Sequence, residues 1–267
     1  MSMRTRGVFL SRLASSGLRS LPAFVIIGGM KCGTTSIYKY LVQHPSVEKG
    51  FMEEVHYFDL NYHRGLSWYR AHFPKKGKDS PIAGDDSPYY LFHPLVPERV
   101  ARDLPEAKLI VLLRNPVDRA FSHYNHELKR GRETLSFPEA LEREDERLEG
   151  EVDRMEADGE YNSHNHQRFS YTARGRYAEQ LERWFSVIPR ERFLIMQSEE
   201  MFRDPASALA ITLDFLDLPP LESPSFPVHN PGGYSSSIDP GTRSRLEEHF
   251  RPLNQELYRL LGRSFDW

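Results

Sequence analysis

Residues 23–36 read Ala23-Phe24-Val25-Ile26-Ile27-Gly28-Gly29-Met30-Lys31-Cys32-Gly33-Thr34-Thr35-Ser36. An unbroken apolar run of this length reads as a buried strand, the glycines as a tight turn, and the hydroxyl residues as a helix start. Such a strand–turn–helix aims backbone N–H groups and the positive end of a helix at one point, where it can cradle a phosphate. Gly28 and Gly33 keep the spacing of the nucleotide-triphosphatase signature G-x-x-x-x-G-K-[ST]. The lysine does not: it is Lys31, inside the loop, and Thr34 stands where that signature needs lysine.

Two further apolar runs lie outward from this stretch. Lys108–Leu113 ends at Arg114-Asn115-Pro116, and a helical pattern follows over 117–130. Pro116 suits a first helical position, where its missing N–H costs nothing. Arg192–Met196 is the third strand, between helical patterns near 177–187 and 205–216. This alternation predicts an α/β fold, a P-loop-like parallel sheet flanked by helices, as a single domain over 22–267. The acid-rich stretch 139–160 reads as a solvated surface helix, and 241–261 as an amphipathic helix that packs back on the domain. Residues 1–21 carry Arg4, Arg6, Arg12 and Arg19 without an acid, and read as a flexible or loosely packed leader.

Composition narrows the classes. The net charge of −3 gives no footprint for nucleic acid. Among 267 residues there is no apolar run long enough to span a membrane, and the one cysteine, Cys32, excludes an intramolecular disulfide. These features lead to the expectation of a cytoplasmic protein; the oligomeric state stays open.

The chemistry concentrates at the first loop. Gly28 and Gly33 let the backbone approach an oxyanion, Thr34, Thr35 and Ser36 add amides and hydroxyls, and Lys31 adds a mobile charge that can follow charge developing on a bridging oxygen. Arg114 stands at the end of the second strand, and Ser122 is about two turns into the next helix; together they can hold another phosphate. Two anion sites at two strand ends imply a donor phosphorylated at two ends.

The motif Lys31-Cys32-Gly33-Thr34-Thr35, paired with Arg114-Asn115-Pro116 and Ser122, resembles the sulfotransferases that use 3′-phosphoadenosine 5′-phosphosulfate (PAPS). The likeness is to the heparan sulfate branch, the glucosaminyl N- and 3-O-sulfotransferases and their bacterial relatives. Glu54-Val55-His56-Tyr57-Phe58, Tyr62–Tyr69, Ser87-Pro88 with Tyr89 and Tyr90, Arg174-Gly175-Arg176-Tyr177 and Gly262–Trp267 are similar to further elements of that branch in the right order. The resemblance implies that the first loop, including Cys32, holds the 5′-phosphosulfate and that Arg114 and Ser122 hold the 3′-phosphate. Tyr177 would complete the donor site, the desulfated product would be 3′-phosphoadenosine 5′-phosphate (PAP), and no metal is needed; Gly233 and Tyr234 are donor-side candidates on the residues alone, as part of a glycine- and serine-rich segment able to wrap the donor. It also implies Glu54 as general base, with Lys31 and His126 supporting the transferring group. His56, Tyr57, Phe58, Asp86, Ser87 and Tyr89 are acceptor-side candidates, with His56 a weaker alternative base.

The chain departs from the branch at Asp86, where the heparan enzymes carry lysine, and at Asn230–Ser237, where they carry a disulfide-closed, lysine-containing loop. The acids Glu53, Asp59, Asp85 and Asp86 and the aromatic set Tyr57, Phe58, Tyr62, Trp68, Tyr69, Tyr89, Tyr90 and Phe92 lead to the expectation of a small-molecule, lipid or weakly charged glycan acceptor. The competing readings are a P-loop kinase or NTPase and a non-catalytic binding module on the same fold.

Overall fold

In the computed structural model, residues 3–77, 80–227 and 237–267 are described. Four strands, β1 (Phe24–Gly28), β2 (Gly84–Asp86), β3 (Lys108–Leu113) and β4 (Phe193–Gln197), form a parallel sheet in the order β2-β1-β3-β4. The apolar runs of β1 and β3 follow from their central places in it. Phe24, Ile26, Ile110 and Leu112 pack on one face against Ile37, Leu41, Leu209 and Leu213. Val25, Ile27, Leu109, Val111 and Leu113 pack on the other against Leu181, Trp184 and Leu257. Both faces are therefore covered, and the period-2 alternation separates two cores rather than a core from water.

The helices that matter for the site are α1 (Met3–Ala14), α2 (Thr34–Leu41), α3 (Val96–Asp103), α4 (Pro116–Lys129), α5 (Tyr177–Phe185), α6 (Pro205–Phe215) and α7 (Pro240–Leu261). The chain leaves β1 toward β2 on one side and returns to β3 on the other. That reversal opens a crevice at the carboxyl ends of β1 and β3, where the loop after β1 meets Arg114.

Two local readings change, and the 1–21 segment shows specific contacts. Strand β2 is Gly84-Asp85-Asp86, a sequence with no strand signal. It pairs with β1, and the buried Asp85 carboxylate accepts from Tyr69, Tyr90 and Ser87 at 3.0, 2.8 and 2.9 Å. The acidic stretch is not one solvated helix: it breaks into Phe137–Glu142, Glu144–Leu148 and Glu151–Ala157. Glu144 is buried and accepts from the backbone N–H groups of Thr172 and Ala173 at 2.7 and 2.8 Å. In the 1–21 segment, α1 docks by directional contacts. Arg12 donates to the carbonyls of Ala71 and Phe73 at 2.7 and 2.9 Å, and the Phe9 ring lies 4.8 Å from His72.

Candidate active site

The turn after β1 is shaped by two left-handed residues, Lys31 (φ 69°) and Gly33 (φ 90°). A Cβ at Gly33 would lie 2.6 Å from the tip of Met201 and 2.8 Å from the tip of the Phe202 ring, and its φ strains any residue with a side chain, so glycine is strongly favoured. Gly33 caps α2, and the N–H groups of Thr34 and Thr35 open that helix as first-turn donors without intrahelical acceptors. Lys31 is part-buried over this turn. Burial, then the Arg114 and Arg130 charges, pull its ammonium below the usual lysine range, with Glu54 opposing them.

The loop's other members hold its shape. The Cys32 thiol is fully buried and pushed up to about 11 by burial, its N–H bonds to Gly29 O at 3.1 Å, and its carbonyl accepts from Ser198 at 2.8 Å. Ser36 is buried and pairs with Tyr40. The Thr34 hydroxyl bonds to Asp86, whose carboxyl is pushed well above the usual range by burial and by the Glu54 and Asp85 charges.

Arg114 leaves the end of β3 and donates to Lys31 O at 3.2 Å, so the two strand-end sites touch. The Asn115 side chain caps α4 by accepting from Val117 N at 2.9 Å, a cap worth about 1 kcal/mol. One residue outside the sequence reading holds this corner: Glu199 accepts from Asn115 N at 2.8 Å and from the Trp267 indole at 3.2 Å. The position of Glu199, just past β4 at the carboxyl edge of a parallel sheet, was the available signal. Tyr177, expected at the donor, is buried and donates to Arg114 O at 2.8 Å, which positions the end of β3. Ser122 is buried on α4, and His126 follows one turn later on the same face. Burial, then Lys31, Arg130 and Arg132, push the His126 imidazole down to about 4, so it is neutral at pH 7. Gly233 and Tyr234 lie outside the described residues.

Across the crevice, Glu54 and His56 both adopt left-handed backbone, φ 47° and 51°. The Glu54 side chain is 49% exposed, and its carboxylate interacts with Lys31 and His126 of the donor side. His56 stands between two carboxylates, with Nδ1 2.7 Å from Asp59 and Nε2 3.5 Å from Glu54. Burial would lower its pKa, but the Asp59 and Glu54 charges outweigh that and raise it to about 10. His56 is therefore an imidazolium at pH 7: it orients Glu54 and is no base. Its own N–H bonds to Ser87, which donates to Asp85.

The other acceptor-side candidates are buried. Tyr57 and Phe58 are core residues whose N–H groups bond the Tyr90 hydroxyl; Ser87 and Asp86 are buried in and just after β2. Tyr89 is buried and its hydroxyl meets His166 at 2.7 Å. The acids expected to line the cleft, Asp59, Asp85 and Asp86, are likewise inside the protein, and Glu53 pairs with Lys49 at 2.7 Å. Exposed Arg130 instead stands near Lys31 and His126.

A sulfotransferase domain family model matches residues 21–226. The chain belongs to the sulfotransferase family. Human heparan sulfate glucosamine 3-O-sulfotransferase 3B1 is 30% identical over 96% of this sulfotransferase and 67% of its own length. Membrane-associated sulfotransferase kil1 of Dictyostelium discoideum is 26% identical over 94% of the chain and 67% of its own. A solved sulfotransferase from Alicyclobacillus acidocaldarius superposes with a TM-score of 0.77 at 31% identity, covering 92% of this chain and 98% of that one. This membership removes the kinase alternative. Among the described residues, no helix of this sulfotransferase is long and apolar enough to cross a membrane.

Proposed function

We propose that this sulfotransferase moves the sulfuryl group of PAPS to a hydroxyl of an anionic glycan, with Glu54 as general base. The observation that carries the reading is the electrostatic meeting of Glu54, Lys31 and His126, which come from three separate segments. Residues of the chain fit the donor: the first-turn N–H groups of α2 and the Lys31 ammonium suit its 5′-phosphosulfate, and Arg114 with Ser122 suits its 3′-phosphate. Bound there, PAPS supplies an activated sulfuryl group and a phosphate leaving group.

Glu54 takes the proton of the acceptor hydroxyl as its oxygen closes on sulfur, opposite the breaking S–O bond. A positioned base of this kind contributes about 10²–10⁴-fold. His56, charged and braced by Asp59, holds the Glu54 carboxylate in one orientation. Lys31 and the α2 N-terminus receive the charge left on the departing phosphate oxygen. His126, neutral, offers an N–H without adding charge repulsion toward Lys31.

The acceptor reading rests on two supports. The relatives include enzymes named for glucosaminyl groups of heparan sulfate. The crevice mouth offers Lys31 and Arg130, while Asp59, Asp85 and Asp86 are buried, Asp86 with its ionisation suppressed, and Glu53 is paired with Lys49. The test is mass spectrometry of products after incubation with PAPS and unsulfated, N-sulfated or uncharged glycans. Sulfated product from the anionic glycans, absent with Glu54→Gln, supports the reading. Product only from an uncharged glycan, or full turnover by the variant, overturns it.

A further inference from the structure

Arg119 on α4 and Arg174 in the turn Ala173–Gly175 are 1% and 3% exposed. Arginine does not shed its proton in proteins, and a buried guanidinium needs countercharge. Among the described residues no carboxylate forms an ion pair with either; Glu127 and Asp59 act on Arg174 and Glu144 on Arg119 only from beyond ion-pair distance, and the two guanidiniums repel each other. Their satisfied contacts are neutral. Arg119 donates to Tyr171 O through Nη2; Arg174 donates to Gln167 O at 2.7 Å and stacks over Tyr89 at 4.7 Å and Phe92 at 5.1 Å.

Three N–H donors stay unpartnered: Nε and Nη1 of Arg119 and Nε of Arg174. Both side chains line one cavity of about 10 Å³, with Gly29, Met30, Phe92 and Gln180. That is room for one small body. None of Lys31, Gly33, Thr34, Thr35 or Ser36 lines it, so it is separate from the donor's cradle. A phosphate or sulfate group would not fit.

We propose that Arg119 and Arg174 form a buried binding site for a single halide-sized monovalent anion, directly behind the loop that carries Lys31. A water could accept the same hydrogen bonds, but it brings no charge, and Glu127, Asp59 and Glu144 all stand beyond ion-pair distance of the two adjacent guanidiniums, where an anion in direct contact is favoured. Arg174 remains charged at neutral pH even though burial pulls it down to about 10. The ion would tie Gly29 and Met30 to α4 and to the Ala173–Gly175 turn, and so fix the base of the phosphate loop.

The experiment is thermal unfolding of the purified protein in sodium chloride and in sodium gluconate at constant ionic strength. The expected result is a saturable chloride-specific rise in Tm of about 5 °C at a hundred times the dissociation constant. Arg174→Gln should abolish that rise. Crystals of the unaltered protein grown in bromide give a second measurement that does not depend on the variant folding. An anomalous peak within hydrogen-bonding reach of Arg119 Nη1 and Arg174 Nε is expected. Equal Tm values in the two salts, or bromide crystals without a peak in this cavity, overturn the proposal.

Discussion

The two walls of the crevice are built by different physics. The donor wall is backbone: a turn fixed by Gly33 against Met201 and Phe202, a helix start, and a strand end held by Asn115, Glu199 and Tyr177. The acceptor wall is a chain of side-chain charges, Asp59 to His56 to Glu54, carried on two left-handed residues and ending in a carboxylate half open to water. Backbone cradles are preorganised whether or not a ligand is present, whereas a charge chain can be broken by one neutral substitution. The donor side should therefore survive single substitutions that silence the acceptor side.

The sharpest way to break that contrast is Glu54→Gln. Loss of about 10²–10⁴-fold in kcat with unchanged PAP affinity is expected from steady-state kinetics and calorimetry; weakened PAP binding would join the two walls into one unit. Lys31→Ala tests the opposite wall, with a kcat loss of about 10²–10³-fold as the departing phosphate loses its counter-charge. His56→Asn should lower kcat by about 10–100-fold, the worth of a hydrogen bond to a charged group, with acceptor KM little changed. Arg130→Ala should raise KM for an anionic glycan a few-fold at low salt, and the difference should fade as ionic strength rises.

The smallest effects are in stability against pH. His72, His93 and His126 are held neutral by burial, with values near 4 against an ordinary 6.5. Their contribution is full above about pH 6.5 and is lost as pH falls from there toward 4. His56 has the opposite sign: raised to about 10, it contributes fully below 6.5 and loses that contribution as pH climbs through 10. Tm measured from pH 4 to pH 10 should fall at both ends, and His56→Asn should flatten the alkaline limb alone.

This difference in construction also decides what could be read from the sequence. Strands β1 and β3, the loop with Lys31, and Arg114 were legible because central strands and phosphate turns are local patterns. Strand β2 was not, since Gly84-Asp85-Asp86 is a strand by pairing with β1, and its Asp85 can be buried there because the hydroxyls of Tyr69, Ser87 and Tyr90 satisfy it. The acids and aromatics near Glu54 suggested an open, weakly charged cleft, but composition does not say which way a side chain faces. Asp59, Asp85, Asp86, Tyr57 and Phe58 all turn inward. The role of His56 was hidden for the same reason: its charge depends on Asp59, three residues on, and on a left-handed backbone that the sequence does not announce.

The central claim is that a displaced lysine and a strand-end arginine select a bisphosphorylated adenosine. Isothermal calorimetry with PAP and with ATP, each with and without magnesium, tests it most directly. The account predicts micromolar PAP binding that needs no magnesium and falls about 10-fold or more in Arg114→Ala, a charged contact being worth about 1.5–3 kcal/mol, with no measurable ATP binding. Magnesium-dependent ATP binding, or PAP binding indifferent to Arg114, would contradict it.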